Sequence, residues 1–209
     1  MKSTLWLIVA VLFLCPTARS QETPAWEISA GYSSLTGNLI HPRFHLNGGN
    51  ASLAGNLNNW FGIKFDFSAY SGPFNGQQLA QDIQGAQSTP PTTGPLAGQP
   101  IAGSPTAQIF SVGPVFSLRR YRMVTPFANF GIGGIHASQG YIGLPQSTTA
   151  RAVSVGGGFD VRINNRLAIR TEGHYLSTAI SMPPATFSPG SPQGNIQLSA
   201  GIVFRIGKK

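Results

Sequence analysis

Charge is scarce in this sequence: 14 lysines and arginines and six acids among 209 residues make it 10% charged, against roughly 25% in soluble domains. So thin a coat argues against a domain wetted on every side. Cysteine occurs once, as Cys15, which excludes disulfides as staples of the fold. Long apolar runs are missing as well. The run from Leu5 to Leu14 has ten residues, whereas a helix crossing a bilayer needs about 20. Few stretches show helical periodicity, while 26 glycines and 16 prolines are present. Together these point to an all-β chain with long loops.

The start, "MKSTLWLIVAVLFLCPTARSQ", carries Lys2, the apolar run and a small-residue pair Ala18-x-Ser20. This is the pattern of a cleaved secretory signal, expected at residues 1–20. The residues before Cys15 lack the small side chain that precedes a lipid-modified cysteine, which argues against a lipoprotein. The mature chain, 21–209, is expected to be one barrel domain with no thiol, 12 basic and 6 acidic residues, and a charge of +6. Its basic residues are scattered, apart from Arg119, Arg120 and Arg122 in one turn and Lys208-Lys209. No basic stripe with interleaved aromatics appears, which argues against nucleic-acid binding.

What the chain does have is alternation. In "WFGIKFDFSAY", residues 60–70, Phe61, Ile63, Phe65 and Phe67 share one face of a strand and Lys64, Asp66 and Ser68 the other. The same period predicts strands at 26–35, 48–57, 60–70, 109–118, 124–135, 151–163, 166–176 and 195–206. At ten to thirteen residues each, they suit the roughly 9–11 of a tilted strand that crosses a bilayer. The intervening segments alternate long and short, with Asn58-Asn59 and Asn164-Asn165 as hairpin turns. The longest, about 71–108, is rich in Gly, Pro, Gln, Ser and Thr and is expected to be mobile. The fold class expected is an eight-stranded antiparallel up-and-down transmembrane β-barrel.

Of the two faces, one is uninterrupted by charge. The other collects Glu27, Lys64, Asp66, Asp160, Arg162, Arg170, Glu172, His174 and Arg205. Four acids and four bases balance there, which suits an interior polar network in a narrow lumen. A charge on a lipid face near the midplane would instead cost about 2–4 kcal/mol. The competing arrangement is a soluble ligand-binding barrel with its apolar face inward. Strand length, loop alternation and low charge weigh against it.

Catalytic and metal chemistry find little support. His41 and His45 have no acid or cysteine near them in sequence, so a metal site is not expected. His136 and His174 with Ser138 and Ser177 near the loop ends make a hydrolase constellation only because serine is common here. No cofactor is implied.

Residues 22–206 resemble the small eight-stranded outer membrane β-barrel family, and are similar to the transmembrane domain of outer membrane protein A and to outer membrane protein X. The signal segment, the eight alternating strands, "TPFANFGIGGIHA", "NIQLSAGIVFRIG" and the Asn-Asn turns carry the resemblance. It implies a cell outer membrane location, with the N-terminus and short turns in the periplasm and long loops outside. The partners implied are outer membrane lipid and the barrel assembly machinery, whose terminal aromatic signal is displaced here because Phe204 is followed by five residues. The implied function is a non-enzymatic envelope role with surface loops in adhesion or interaction. A passive small-solute pore is the alternative, and a lipid A-modifying barrel enzyme a more distant one.

Overall fold

The computed structural model describes residues 23–37, 44–72, 106–141, 144–178 and 193–207. The expected signal segment and most of the expected 71–108 loop lie outside the described residues. Eight strands follow one another: β1 (Trp26–Gly37), β2 (Phe44–Asn56), β3 (Phe61–Ser71), β4 (Thr106–Ser117), β5 (Val124–Tyr141), β6 (Leu144–Arg162), β7 (Leu167–Thr178) and β8 (Gln193–Ile206). Each pairs antiparallel with its sequence neighbours, and β8 returns to β1 to close the barrel. Closure runs from Trp26 opposite Ile206 to Gly37 opposite Asn195. Where all eight strands pair around the barrel, no sheet edge remains to recruit another strand.

Alternation sorts the side chains as the sequence pattern requires. Ile28, Phe65, Phe67, Val112, Phe130, Ile132, Val155 and Ile202 stand exposed on the outer wall. Glu27, Lys64, Asp160, Arg170, Glu172 and Arg205 are buried inside it. In water this distribution would be inverted, because burying apolar rather than charged groups drives folding.

The strands run further than the alternation does. In the segment 136–150, expected as a loop, β5 and β6 instead stay paired as far as Tyr141 and Leu144, with β4 alongside β5 up to Ser138. Similarly, β1 continues to Gly37 and β2 starts at Phe44 within the expected loop 36–47, and β4 begins at Thr106. Beyond the apolar band both faces of a ribbon meet polar surroundings. The period of two disappears from the sequence there, while backbone pairing continues.

At the other end the turns are short and built alike. Asn58 Oδ1 accepts from the backbone N–H of Trp60 and Phe61 at 3.0 and 2.7 Å, and Asn164 Oδ1 accepts from Arg166 and Leu167 at 2.8 Å each. The connections therefore span 57–60 and 163–166, two residues wider than expected. Asparagine is suited to them because its side chain mimics a backbone turn.

The outer wall generates a direct test. Ile132, in register with Val112 and Val153, is outward and exposed. Ile132→Lys is expected to destabilise the barrel by about 2–4 kcal/mol in urea titrations in lipid vesicles. A change near zero would mean that this wall does not face hydrocarbon.

Candidate functional site

Eight strands enclose a space that side chains can fill, so the candidate site is the barrel interior. Its contents fall into layers. Nearest the short turns lies an arginine-rich layer. Glu27 Oε1 accepts from Arg119 Nη2 at 2.7 Å and Oε2 accepts from Arg170 Nη2 at 2.9 Å. Arg170 also grips Asp160 with Nε and Nη2, at 2.7 and 2.8 Å. Arg205 Nη2 reaches the same Asp160 at 3.4 Å. Asn56 joins from β2, receiving Arg119 Nη2 at 3.2 Å and donating to Pro24 O at 3.0 Å.

The next layer is centred on Lys64, 1% exposed. Its Nζ lies 2.7 Å from Glu172 Oε2 and 2.8 Å from Asp66 Oδ1. His174 Nε2 stands 3.5 Å from the same Glu172 oxygen. Glu172 Oε1 accepts from Asn50 Nδ2 and Ser199 Oγ, both at 3.3 Å. Phe127 joins the two layers from β5, its ring centroid 4.6 Å from Arg170 Cζ and 5.7 Å from Lys64 Nζ. Cations over an aromatic face are attracted by its quadrupole. Glycine makes room at one crowded point, where a methyl group on Gly156 would meet the His174 ring 2.8 Å away.

Towards the loop end the interior turns apolar. Leu35, Leu46, Tyr70, Ile109, Ile135 and Leu176 form one buried cluster across the lumen, with Ser33 Oγ and Tyr70 Oη 2.7 Å apart beneath it. This apolar layer is not foreseen by a polar interior face. Leu35, Ile109 and Ile135 keep the inward phase of their strands, but their hydrophobicity hides them among outward residues.

Eight of the nine residues expected in the interior network meet in these two charged layers. Arg162 does not, and this is a correction. It lies at the last position of β6, where its Nε donates to Asn164 O at 3.2 Å and its Nη2 donates to the Asn165 side chain. Arg119 takes its place, so the balance of four acids and four bases survives with a different member. Stagger explains the exchange. Leu118 N donates to Pro126 O at 2.8 Å, which sets Arg119 beside Thr125, and Thr125 is in register with Asp160. Arg162 lies two residues nearer the rim than Asp160. The signal that finds Arg119 is parity, since it continues the inward positions Ser111, Val115 and Ser117 into the turn.

The hydrolase constellation does not assemble. His136 is outward and shares a 2.8 Å hydrogen bond with Thr149 Oγ1, whereas His174 points inward. His45 is exposed and pairs with Thr36 Oγ1 at 2.9 Å; His41 lies outside the described residues. Among the described residues, no group of three His, Cys, Asp or Glu could hold a metal.

The closed eight-stranded architecture recurs in solved structures. Ail, the attachment invasion locus protein of Yersinia pestis, aligns over 90% of this chain and 100% of its own at 17% identity, with a TM-score of 0.55. This chain has the fold of the small outer membrane β-barrels. Neisserial surface protein A aligns over 87% of this chain and 97% of its own at 11% identity and a TM-score of 0.59. For OprG of Pseudomonas aeruginosa the values are 90%, 98%, 8% and 0.53. No protein-family model and no curated protein matches the sequence. At these identities the outer membrane barrels share with this chain its architecture, and the lumen contents have to be read from its own residues.

Breaking a buried ion pair strands the partner charge. Arg170→Ala, which leaves Asp160 and Glu27 short of their central donor, is expected to cost about 3–5 kcal/mol. Arg162→Ala is expected to cost under about 1 kcal/mol, as for a surface contact. Urea midpoints of the two folded variants in one detergent compare them directly. Equal losses would contradict the assignment of Arg162 to the rim.

Proposed function

We propose that the protein is a non-enzymatic barrel of the bacterial outer membrane that serves the envelope as a structural, surface-presenting scaffold and keeps its own lumen closed. In this reading the N-terminus and short turns face the periplasm, and the longer connections face outward. The filled lumen carries the proposal. Side chains from all sides meet there, with Lys64 and Glu172 on β3 and β7 only 2.7 Å apart and an apolar cluster stacked above them. Ions would have to break charged contacts and then cross that apolar layer. The exposed wall of Phe65, Phe110, Phe130, Ile132 and Val155 supports lipid as the solvent of the outer face.

Surface attachment through the outward connections is the accompanying role. It is supported by the likeness to Ail, named for attachment and invasion and also solved with the heparin analogue sucrose octasulfate at a TM-score of 0.56. Assembly into the membrane would use the barrel assembly machinery, with β8 as the closing strand. A passive pore is the competing function, and it needs an open lumen.

Planar bilayers separate the two. The purified, folded barrel is expected to produce no steady conductance steps, and steady steps altered by Lys64→Ala would establish a pore instead. Membrane residence is read by gel migration before and after boiling and by fractionation; recovery in the soluble periplasm would refute it. For the lipid A-modifying alternative, expression is expected to leave lipid A mass unchanged, and a mass shift abolished by His174→Ala would overturn the non-enzymatic reading.

A further inference from the structure

All four carboxylates among the described residues, Glu27, Asp66, Asp160 and Glu172, sit inside the barrel. The arginines divide differently. Arg120 and Arg122 are exposed on the β4–β5 turn and Arg166 on the β6–β7 turn. These two turns adjoin, because Arg162 N donates to Met123 O at 2.8 Å and Val124 is in register with Val161. Arg162 lies between them, held against Asn164 and Asn165. Along the same edge Leu118, Met123 and Ile163 are 51%, 59% and 60% exposed. The remaining short turn, 57–60, is Leu-Asn-Asn-Trp and carries no charge.

We propose that the β4–β5 and β6–β7 turns form one docking surface for the phosphate-bearing headgroups of anionic phospholipids in the leaflet that the turns meet. The inference rests on the membrane reading above and adds a choice among lipids to it. Arginine binds phosphate through paired N–H donors. Its long stem can lie along an apolar edge while the guanidinium reaches the headgroup level. Leu118, Met123 and Ile163 supply that edge, and no described carboxylate outside the lumen competes for the charge. Basic clusters beside a bilayer attract anionic lipid. Among the described residues, the exposed arginines of this rim lie on the β4–β5 and β6–β7 turns.

The test uses the full barrel folded in a non-ionic maltoside, doped equally with phosphatidylglycerol and phosphatidylcholine, with retained lipids counted by native mass spectrometry. The native barrel is expected to retain phosphatidylglycerol at least about fivefold more, the factor corresponding to the attraction of one surface arginine. The triple variant Arg120→Gln, Arg122→Gln, Arg166→Gln is expected to lose that preference, and the triple Arg→Lys variant to keep most of it. Arg151→Gln, on the outward face opposite Gly134 towards the other end, is expected to leave it intact. Raising salt from about 50 mM to about 0.5 M is expected to weaken the preference of the native barrel, a measurement that needs no variant to fold. Equal retention of the two lipids, a preference untouched by the triple Gln substitution or by salt, or displacement by soluble glycerol phosphate at equal concentration would overturn the proposal. Failure of the membrane reading has a different signature: a chain that shows no boiling-dependent gel shift and stays soluble without detergent.

Discussion

Closure of the backbone ladder is the constraint on which the rest depends. Joining β8 to β1 satisfies the last unpaired strand edges of the barrel wall, the condition for crossing a region that offers no water to hydrogen bond. With eight strands, closure also sets the bore. The enclosed space is too narrow to remain a channel by default and too wide to be left empty. Whatever fills it must come from alternate residues of the same strands whose other residues form the wall. One period of two therefore writes two surfaces at once, and a one-residue slip in any strand would exchange them.

Filling that space with charge is costly unless every charge is matched. The layers show how the cost is contained. Arg170 presents Nε and Nη2 to Asp160 and turns the second N–H of the same Nη2 to Glu27, so one guanidinium serves two acids. Lys64 serves Asp66 and Glu172, and Glu172 is further held by Asn50 and Ser199. Phe127 separates and joins the two groups, giving each cation a polarisable face. An ionic interior of this kind favours one register over its alternatives, because displaced strands would face like charges or unpaired ones.

Much of this was legible in the sequence because alternation is a local signal. Phe61 to Phe67 and Ile196 to Phe204 announce their faces without reference to neighbours, and eight of the network residues follow from the same phase. What was not legible depended on stagger between strands. Arg119 and Arg162 both continue an inward phase, and only the register of β4 and β6 against β5 shows that the first enters the lumen and the second lies at the rim. The extended ribbon of β5 and β6 was hidden for a different reason. His136, Ser138, Thr148 and Thr149 lack apolar contrast, so backbone pairing leaves no trace in hydropathy. The upper apolar cluster was masked by the opposite effect, because Leu35, Ile109 and Ile135 are as hydrophobic as wall residues although their phase points inward.

Charge is consequently distributed by depth rather than by face alone. Inside, four acids meet four bases, Lys64, Arg119, Arg170 and Arg205, whose formal charges cancel. Among the described residues the outer wall carries one charge, Arg151, towards the loop end, and none nearer its middle, where a charge would be stranded in hydrocarbon. The excess arginines can therefore stand only at the ends, and Arg120, Arg122, Arg162 and Arg166 gather at one of them. A positive rim is thus the remainder left when a narrow lumen demands neutrality and a lipid wall excludes charge. Its uneven spread follows from local turn composition, because the Leu57 to Trp60 turn is closed by asparagine and tryptophan while its two counterparts are closed by arginine-bearing segments.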